Sequence, residues 1–157
     1  MAQGKPIPEH LHTLLEGSPI AFMTTMRPDG RMSTTPMAVM FDGTHLRLST
    51  TEDRKKFRNL ERDDRITVCV VQPGNLNRYV EVRGRAMLES DPDRTFINSI
   101  AKRYMGEDRY PFDRAWQKRV TITVIAEAIS APDVPLADEP PYQKDEPAAT
   151  GGTPSGS

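Results

Sequence analysis

The run Ser49-Thr50-Thr51-Glu52-Asp53-Arg54-Lys55-Lys56-Phe57-Arg58-Asn59-Leu60 sets three hydroxyls directly before a cluster of cations, between two β-like stretches. Hydroxyls, free N–H groups at a helix start and positive charge together suit a phosphate. The run predicts a helix reaching about Arg62, capped by Thr50 or Thr51. Asp53 would close a Thr50-x-x-Asp53 capping box, and the first-turn acids favour the helix dipole. At about 100° per residue, Phe57 and Leu60 make a narrow apolar stripe, while Arg54, Lys55, Arg58 and Arg62 occupy the opposite side. Lys56 and Asn59 fall on the border. A border lysine can lay its stem along packed apolar surface with its ammonium at the rim of a cleft. The same residues also read as a solvated face, with Glu61, Asp63 and Asp64 partly neutralising the cations.

The elements that would position this helix are mostly strands. Residues 8–16 read as a short helix with Pro8 near its first turn, and Gly17 and Pro19 after its end. Residues 20–26 form a first strand. The turn Arg27-Pro28-Asp29-Gly30 leads into a longer strand over 31–41, and Asp42-Gly43 turns into a third, where Leu46 and Leu48 alternate with Arg47 and Ser49. The capped helix follows. Residues 65–71 make a nearly continuous apolar fourth strand, broken by Gln72-Pro73-Gly74-Asn75. Residues 78–88 alternate as a fifth strand, with Gly84 marking a bulge or bend. A helix from Asp91-Pro92 to about Met105, a shorter helix over 111–117 and a sixth strand over 119–129, rich in Val, Ile and Thr, complete the body. Six strands with hairpin connections predict a mainly β small antiparallel barrel with helices packed at its ends, since closure removes exposed sheet edges.

One domain fits the 157 residues, over 8–130, and the composition beyond Ser130 turns to Pro, Asp, Glu, Ala and Gly. Residues 131–157 are expected to be a disordered acidic tail. That segment carries a net charge of −4, which leaves +3 on the body of a chain whose total is −1. So mild a positive charge fits a small anionic molecule better than a long phosphate backbone, and Phe57 and Tyr79 are too few to stack successive bases; no nucleic-acid partner is expected. No apolar run approaches the ~20 residues that span a bilayer, and the first residues lack a signal peptide's hydrophobic region, so a cytoplasmic protein without membrane contact is expected. The lone Cys69 lies in an apolar strand and reads as a structural thiol.

Catalytic machinery is sparse. His10 and His12 lie two apart on a helix and point to different faces, His45 sits in a hairpin, and no metal site is expected. No Gly-x-Ser-x-Gly elbow or Walker loop occurs. An enzyme built this way relies on a bound cofactor for its chemistry, while the protein binds and orients. A module that stores or scavenges such a cofactor without turnover would need the same groups.

Four segments, taken together, resemble the split β-barrel flavin/deazaflavin oxidoreductases, also called pyridoxamine 5'-phosphate oxidase-like. They are Ala21-Phe22-Met23-Thr24-Thr25 before Asp29-Gly30-Arg31; Ser33-Thr34-Thr35-Pro36-Met37; Arg54-Lys55-Lys56-Phe57-Arg58-Asn59-Leu60 with Asp63-Asp64-Arg65; and Tyr79-Val80-Glu81-Val82-Arg83-Gly84-Arg85-Ala86. The resemblance spans roughly residues 11–129. It implies a six-stranded FMN-binding split barrel that works as a homodimer, with the cofactor in the groove between two barrels. It implies a tricyclic ring against Thr34, Thr35, Pro36 and Met37, and a phosphate near Ser49, Thr50, Thr51, Arg54, Lys56 and Asn59. Asn77, Arg78, Tyr79 and Trp116 would come from the facing subunit.

True pyridoxamine-phosphate oxidases end in an Arg-containing segment that helps bind substrate phosphate, and this chain has its acidic tail there instead. The compact form, with the basic helix directly after strand three, is more similar to the branch that uses the deazaflavin coenzyme F420, whose tail carries phosphate and oligoglutamate. The implied reaction is reduction of a small unsaturated organic substrate by hydride, with no side chain identified as the acid. FMN, in an oxidase, a reductase or a non-catalytic flavin carrier of the same fold, is the alternative.

Overall fold

The computed structural model describes residues 3–17 and 19–132. A turn of 3-10 helix (Glu9–Leu11) runs into α1 (His12–Glu16), whose Leu14 and Leu15 join Leu11 in the core. There follow β1 (Ile20–Met26), β2 (Met32–Met37), β3 (Met40–Phe41), β4 (Leu46–Thr51), α2 (Lys55–Arg62), β5 (Arg65–Gln72), β6 (Asn75–Ser90), α3 (Thr95–Met105) and β7 (Arg119–Ser130). The acidic tail expected over 131–157 lies outside the described residues from 133 onward. Among the described residues no helix is long and apolar enough to cross a membrane.

All the strand pairs are antiparallel, in the order β2-β1-β5-β6-β7-β4-β3. The two outermost strands are consecutive in the chain, and only Ala38 and Val39 separate Met37 from Met40. Three residue steps span at most about 11 Å of extended chain. The sheet therefore curls until its two edges almost meet. The single strand expected over 31–41 is present but bends at Ala38-Val39, so that one half pairs with β1 and the other with β4. This is why seven strands are counted among the described residues where six were expected. The barrel is closed by chain rather than by a ladder, which is the split.

Strand alternation fills the interior. Ala21, Met23 and Thr25 of β1, Ile66, Val68 and Val70 of β5, Val80 and Val82 of β6, and Leu46 and Leu48 of β4 are buried. Leu60 from α2 joins this core. Each such Leu stabilises the fold by roughly 1.5–3 kcal/mol.

The bend expected at Gly84 exists. The β6–β7 register shifts between Arg83 and Gly84, and a Cβ at Gly84 would lie 1.9 Å from the Ile125 carbonyl oxygen. Side-chain-free backbone is what allows the two strands to cross so closely.

Three local expectations are corrected. Thr50 and Thr51 do not cap α2: both are the last residues of β4, paired with Val120 and Arg119, and the helix starts at Lys55 with Arg54 as N-cap and no side-chain cap bond. The ladder to a strand some 70 positions away in the chain outcompetes the local capping box. Residues 111–117 form turns rather than a helix. There the Asp113 side chain is buried between Arg94 and Arg119, at 2.7 and 2.5 Å, ion pairs that tie the turns to the start of α3 and of β7. Finally, Gln72 and Asn75 pair across Pro73-Gly74 as a tight hairpin, so β6 begins three residues earlier than expected.

Candidate functional site

Helix α2 packs against β1 and β4 and turns Lys56, Asn59 and Leu60 inward, with Phe57 half-buried beside them. The two polar border positions therefore face protein. Asn59 donates its amide to the buried Thr25 hydroxyl at 3.1 Å. Arg62 reaches the Met26 carbonyl at 2.5 Å and Asn59 Oδ1 at 3.4 Å.

Lys56 Nζ donates to Thr35 Oγ1 at 3.0 Å and meets Met37 Sδ at 3.2 Å. Among the described residues it forms no ion pair with a carboxylate. Burial, and then the neighbouring Arg54 charge, push its amine below the ordinary lysine range. A half-buried ammonium whose protein acceptors are a hydroxyl and a thioether carries a charge that no carboxylate among the described residues balances, and a bound anion would balance it.

Strand β2 presents two faces. Thr35 and Met37 point toward Lys56, whereas Thr34 and Pro36 are exposed on the other side. There Thr34 shares a 2.7 Å hydroxyl–hydroxyl bond with Thr24, and Pro36 pairs in register with Phe22, which is 40% exposed. The expected ring strand thus offers an apolar outer surface and a cationic inner one.

Alternation also divides Ser49, Thr50 and Thr51. Thr50 shares the interior face with Leu46 and Leu48, and its Oγ1 is buried without a hydrogen-bond partner. Ser49 faces the opposite way with Arg47, whose guanidinium covers the Phe96 ring of α3, and Ser49 Oγ accepts from Arg119 at 3.3 Å. The three hydroxyls do not converge as side chains. Arg54 is exposed at the start of α2, its N–H bonded to the Thr51 carbonyl.

Beside this cluster lies a cleft of about 330 Å³ lined by Arg27, Pro28, Ser33, Lys55, Arg58, Asn59 and Arg62. Among the described residues four cations line it and no carboxylate does. Lys55, Arg58 and Arg62 recur at i, i+3 and i+7 on α2, so the stripe set aside in sequence as the wet side is one wall of the cleft. Its one-signed spacing was the available signal. Arg27 and Ser33 arrive from the β1–β2 hairpin, which no local pattern couples to α2.

The remaining expected residues lie elsewhere in the protomer. Asn77, Arg78 and Tyr79 sit on β6, three strand spacings from β2, or about 14 Å. Arg78 bonds Gln72 and Thr13. Trp116 is 62% exposed on the loop before β7. That loop is fastened beside the β4–α2 junction, where Gln117 donates to Asp53 at 3.3 Å and the Glu52 N–H donates to the Lys118 carbonyl.

A phosphate-bearing, acidic cofactor fits this donor set. Lys56, whose protein acceptors are both neutral, sits on the same helix as Lys55, Arg58 and Arg62, which wall a cleft with no carboxylate in its lining among the described residues. The volume suits a phosphate and the beginning of an anionic tail, while the β2 strand runs alongside.

The family described as pyridoxamine 5'-phosphate oxidase matches residues 7–131. Among solved structures, one described as an F420 reductase is 34% identical and superposes with a TM-score of 0.70, over 79% of this chain and 98% of its own. Two further structures share the fold. A conserved hypothetical protein from Mycobacterium tuberculosis is 22% identical (TM-score 0.64; 82% of this chain and 86% of that one). General Stress Protein 26 from Bacillus anthracis is 23% identical (TM-score 0.59; 77% and 89%). No curated protein matches the chain.

Proposed function

The chain belongs to the pyridoxamine 5'-phosphate oxidase family, and we propose that it is a coenzyme F420-dependent reductase acting on a small unsaturated organic substrate. The observation that carries this reading is the cleft walled by Arg27, Lys55, Arg58 and Arg62, with no acid in its lining among the described residues, on the helix that carries Lys56. FMN brings one phosphate; the deazaflavin brings a phosphate and an acidic tail, and four lining cations, of which Arg27 alone pairs with a carboxylate among the described residues (Asp29, 3.9 Å), match the larger charge. The 34% identical structure described as an F420 reductase, covered over 98% of its length, supports the same choice.

In this reading Lys56 and Asn59 meet the phosphate, the cleft cations hold the tail, and the ring lies along Thr34, Thr35, Pro36 and Met37. When bound, the deazaflavin supplies two-electron hydride transfer, and the chain supplies binding, orientation and exclusion of water. Cationic hold on an anionic cofactor also stabilises the extra negative charge of its reduced form. The reading includes a cytoplasmic homodimer, in which Asn77, Arg78, Tyr79 and Trp116 of one protomer complete the groove of the other. Phe22 and Ile20, exposed on the barrel surface, would then be covered.

Fluorescence titration of F420 and of FMN tests the choice, with light scattering on the same sample. Tighter binding of F420 by a two-chain particle is expected. Preference for FMN replaces the reading by the flavin alternative, and a monomer that binds F420 tightly removes the shared groove.

A further inference from the structure

Val39 lies at the bend between β2 and β3 and belongs to neither ladder, and its side chain is fully inside the core. One phenol serves its backbone. Tyr104, on the last turn of α3, accepts from the Val39 N–H at 3.2 Å, and its single proton is shared between the carbonyls of Val39 at 2.9 Å and Pro19 at 3.0 Å. Pro19 immediately precedes β1, and the nearest rung of the β1–β2 ladder is Ala21 opposite Met37. The phenol oxygen therefore closes that ladder just beyond the residue that touches Lys56.

We propose that Tyr104 is a positioning residue for cofactor binding: by fixing the bend at Val39 it holds Thr35 and Met37 in register beneath Lys56. The proposal rests on the reading that the cofactor lies along β2. Tyrosine is suited to the task because one oxygen both donates and accepts, whereas phenylalanine keeps the packing and leaves a buried N–H and C=O unpaired. Burial raises the phenol's pKa, so the donor persists across the working range. Arg103, the preceding residue on α3, instead holds the carbonyls of Glu16 and Gly17. It anchors the same helical turn without touching the bend, which makes it the control.

The experiment compares Tyr104→Phe with Arg103→Ala for amide exchange at Val39, thermal melting, and affinity for F420 and FMN. Tyr104→Phe is expected to speed Val39 exchange at least tenfold and to weaken cofactor binding about tenfold. Arg103→Ala should leave affinity within twofold. Combined with Lys56→Ala, Tyr104→Phe should add little further loss, because both act on one contact. In wild-type protein, which no folding defect can confuse, added cofactor should slow exchange at Val39. Unchanged affinity in Tyr104→Phe, equal losses from both single variants, full additivity with Lys56→Ala, or Val39 exchange that ignores cofactor would each overturn the proposal. Wild type that binds neither cofactor would instead refute the functional reading on which it stands, and the proposal with it.

Discussion

Replacing Lys56 by alanine isolates the contact on which cofactor binding should depend most. The ammonium has two neutral acceptors, Thr35 Oγ1 and Met37 Sδ, and no carboxylate partner among the described residues, so a bound phosphate would be its first full counter-charge. A hydrogen bond to a charged group contributes about 1.5–3 kcal/mol, or roughly 10- to 100-fold in affinity. Lys55, exposed at the cleft wall, should lose no more than about 1 kcal/mol, the upper range for a solvent-screened pair. The fold should survive Lys56→Ala, since the cofactor-free protein gives up only contacts to neutral acceptors. Titration of F420 into both variants, with circular dichroism to confirm folding, reads the difference.

The pH dependence sharpens this test. In the cofactor-free protein the Lys56 amine is pushed below 10.5, and an anion beside it raises it again. Binding then requires proton uptake once pH exceeds the free-form value, so affinity should fall as pH rises toward 10.5. Lys56→Arg, which keeps its charge there, should remove that fall. Equal small losses from Lys55→Ala and Lys56→Ala, or the same pH profile in wild type and Lys56→Arg, would refute the assignment.

Gly84→Ala would drive a methyl into the Ile125 carbonyl, and overpacking of this kind costs about 1–3 kcal/mol or more; differential scanning calorimetry should show the melting point several degrees lower. Asp113→Asn leaves the guanidinium of Arg119, itself 91% buried as a side chain, without its bidentate partner. A loss of about 3–5 kcal/mol is expected in urea denaturation. Asp63, held at about 2 chiefly by its hydrogen bonds from Arg65, should titrate near that value by NMR and return toward 3.8 in Arg65→Ala. The stability it contributes is complete above 3.8 and disappears as pH falls through about 2.

Strand positions were legible in the sequence because period-two burial writes itself into residue type: Ala21, Met23 and Thr25 alternate with Phe22 and Thr24, and the observed β1 has the expected bounds. Gly84 was legible for a related reason, as a missing side chain inside an otherwise continuous strand. The start of α2 was not, because local capping chemistry at Thr50 and Thr51 competes with pairing to β7, a partner invisible from nearby residues. The same holds for the site. The inward turn of Lys56 follows from its border position on the helix, but Arg27 and Ser33 reach the cleft through tertiary folding, and no residue near Tyr104 in the chain points to its bonds with Val39 and Pro19, 65 and 85 positions away.

The place of β7 between β6 and β4 has a consequence for synthesis on the ribosome. The β1–β2 and β5–β6 hairpins can pair as soon as they emerge. The β3–β4 segment has no lasting neighbour until residues 119–130 are made, so Leu46 and Leu48 wait with one edge open while more than sixty further residues are added. The barrel is completed by its final strand, and a nascent chain stalled before it carries two separate sheet fragments exposed to aggregation.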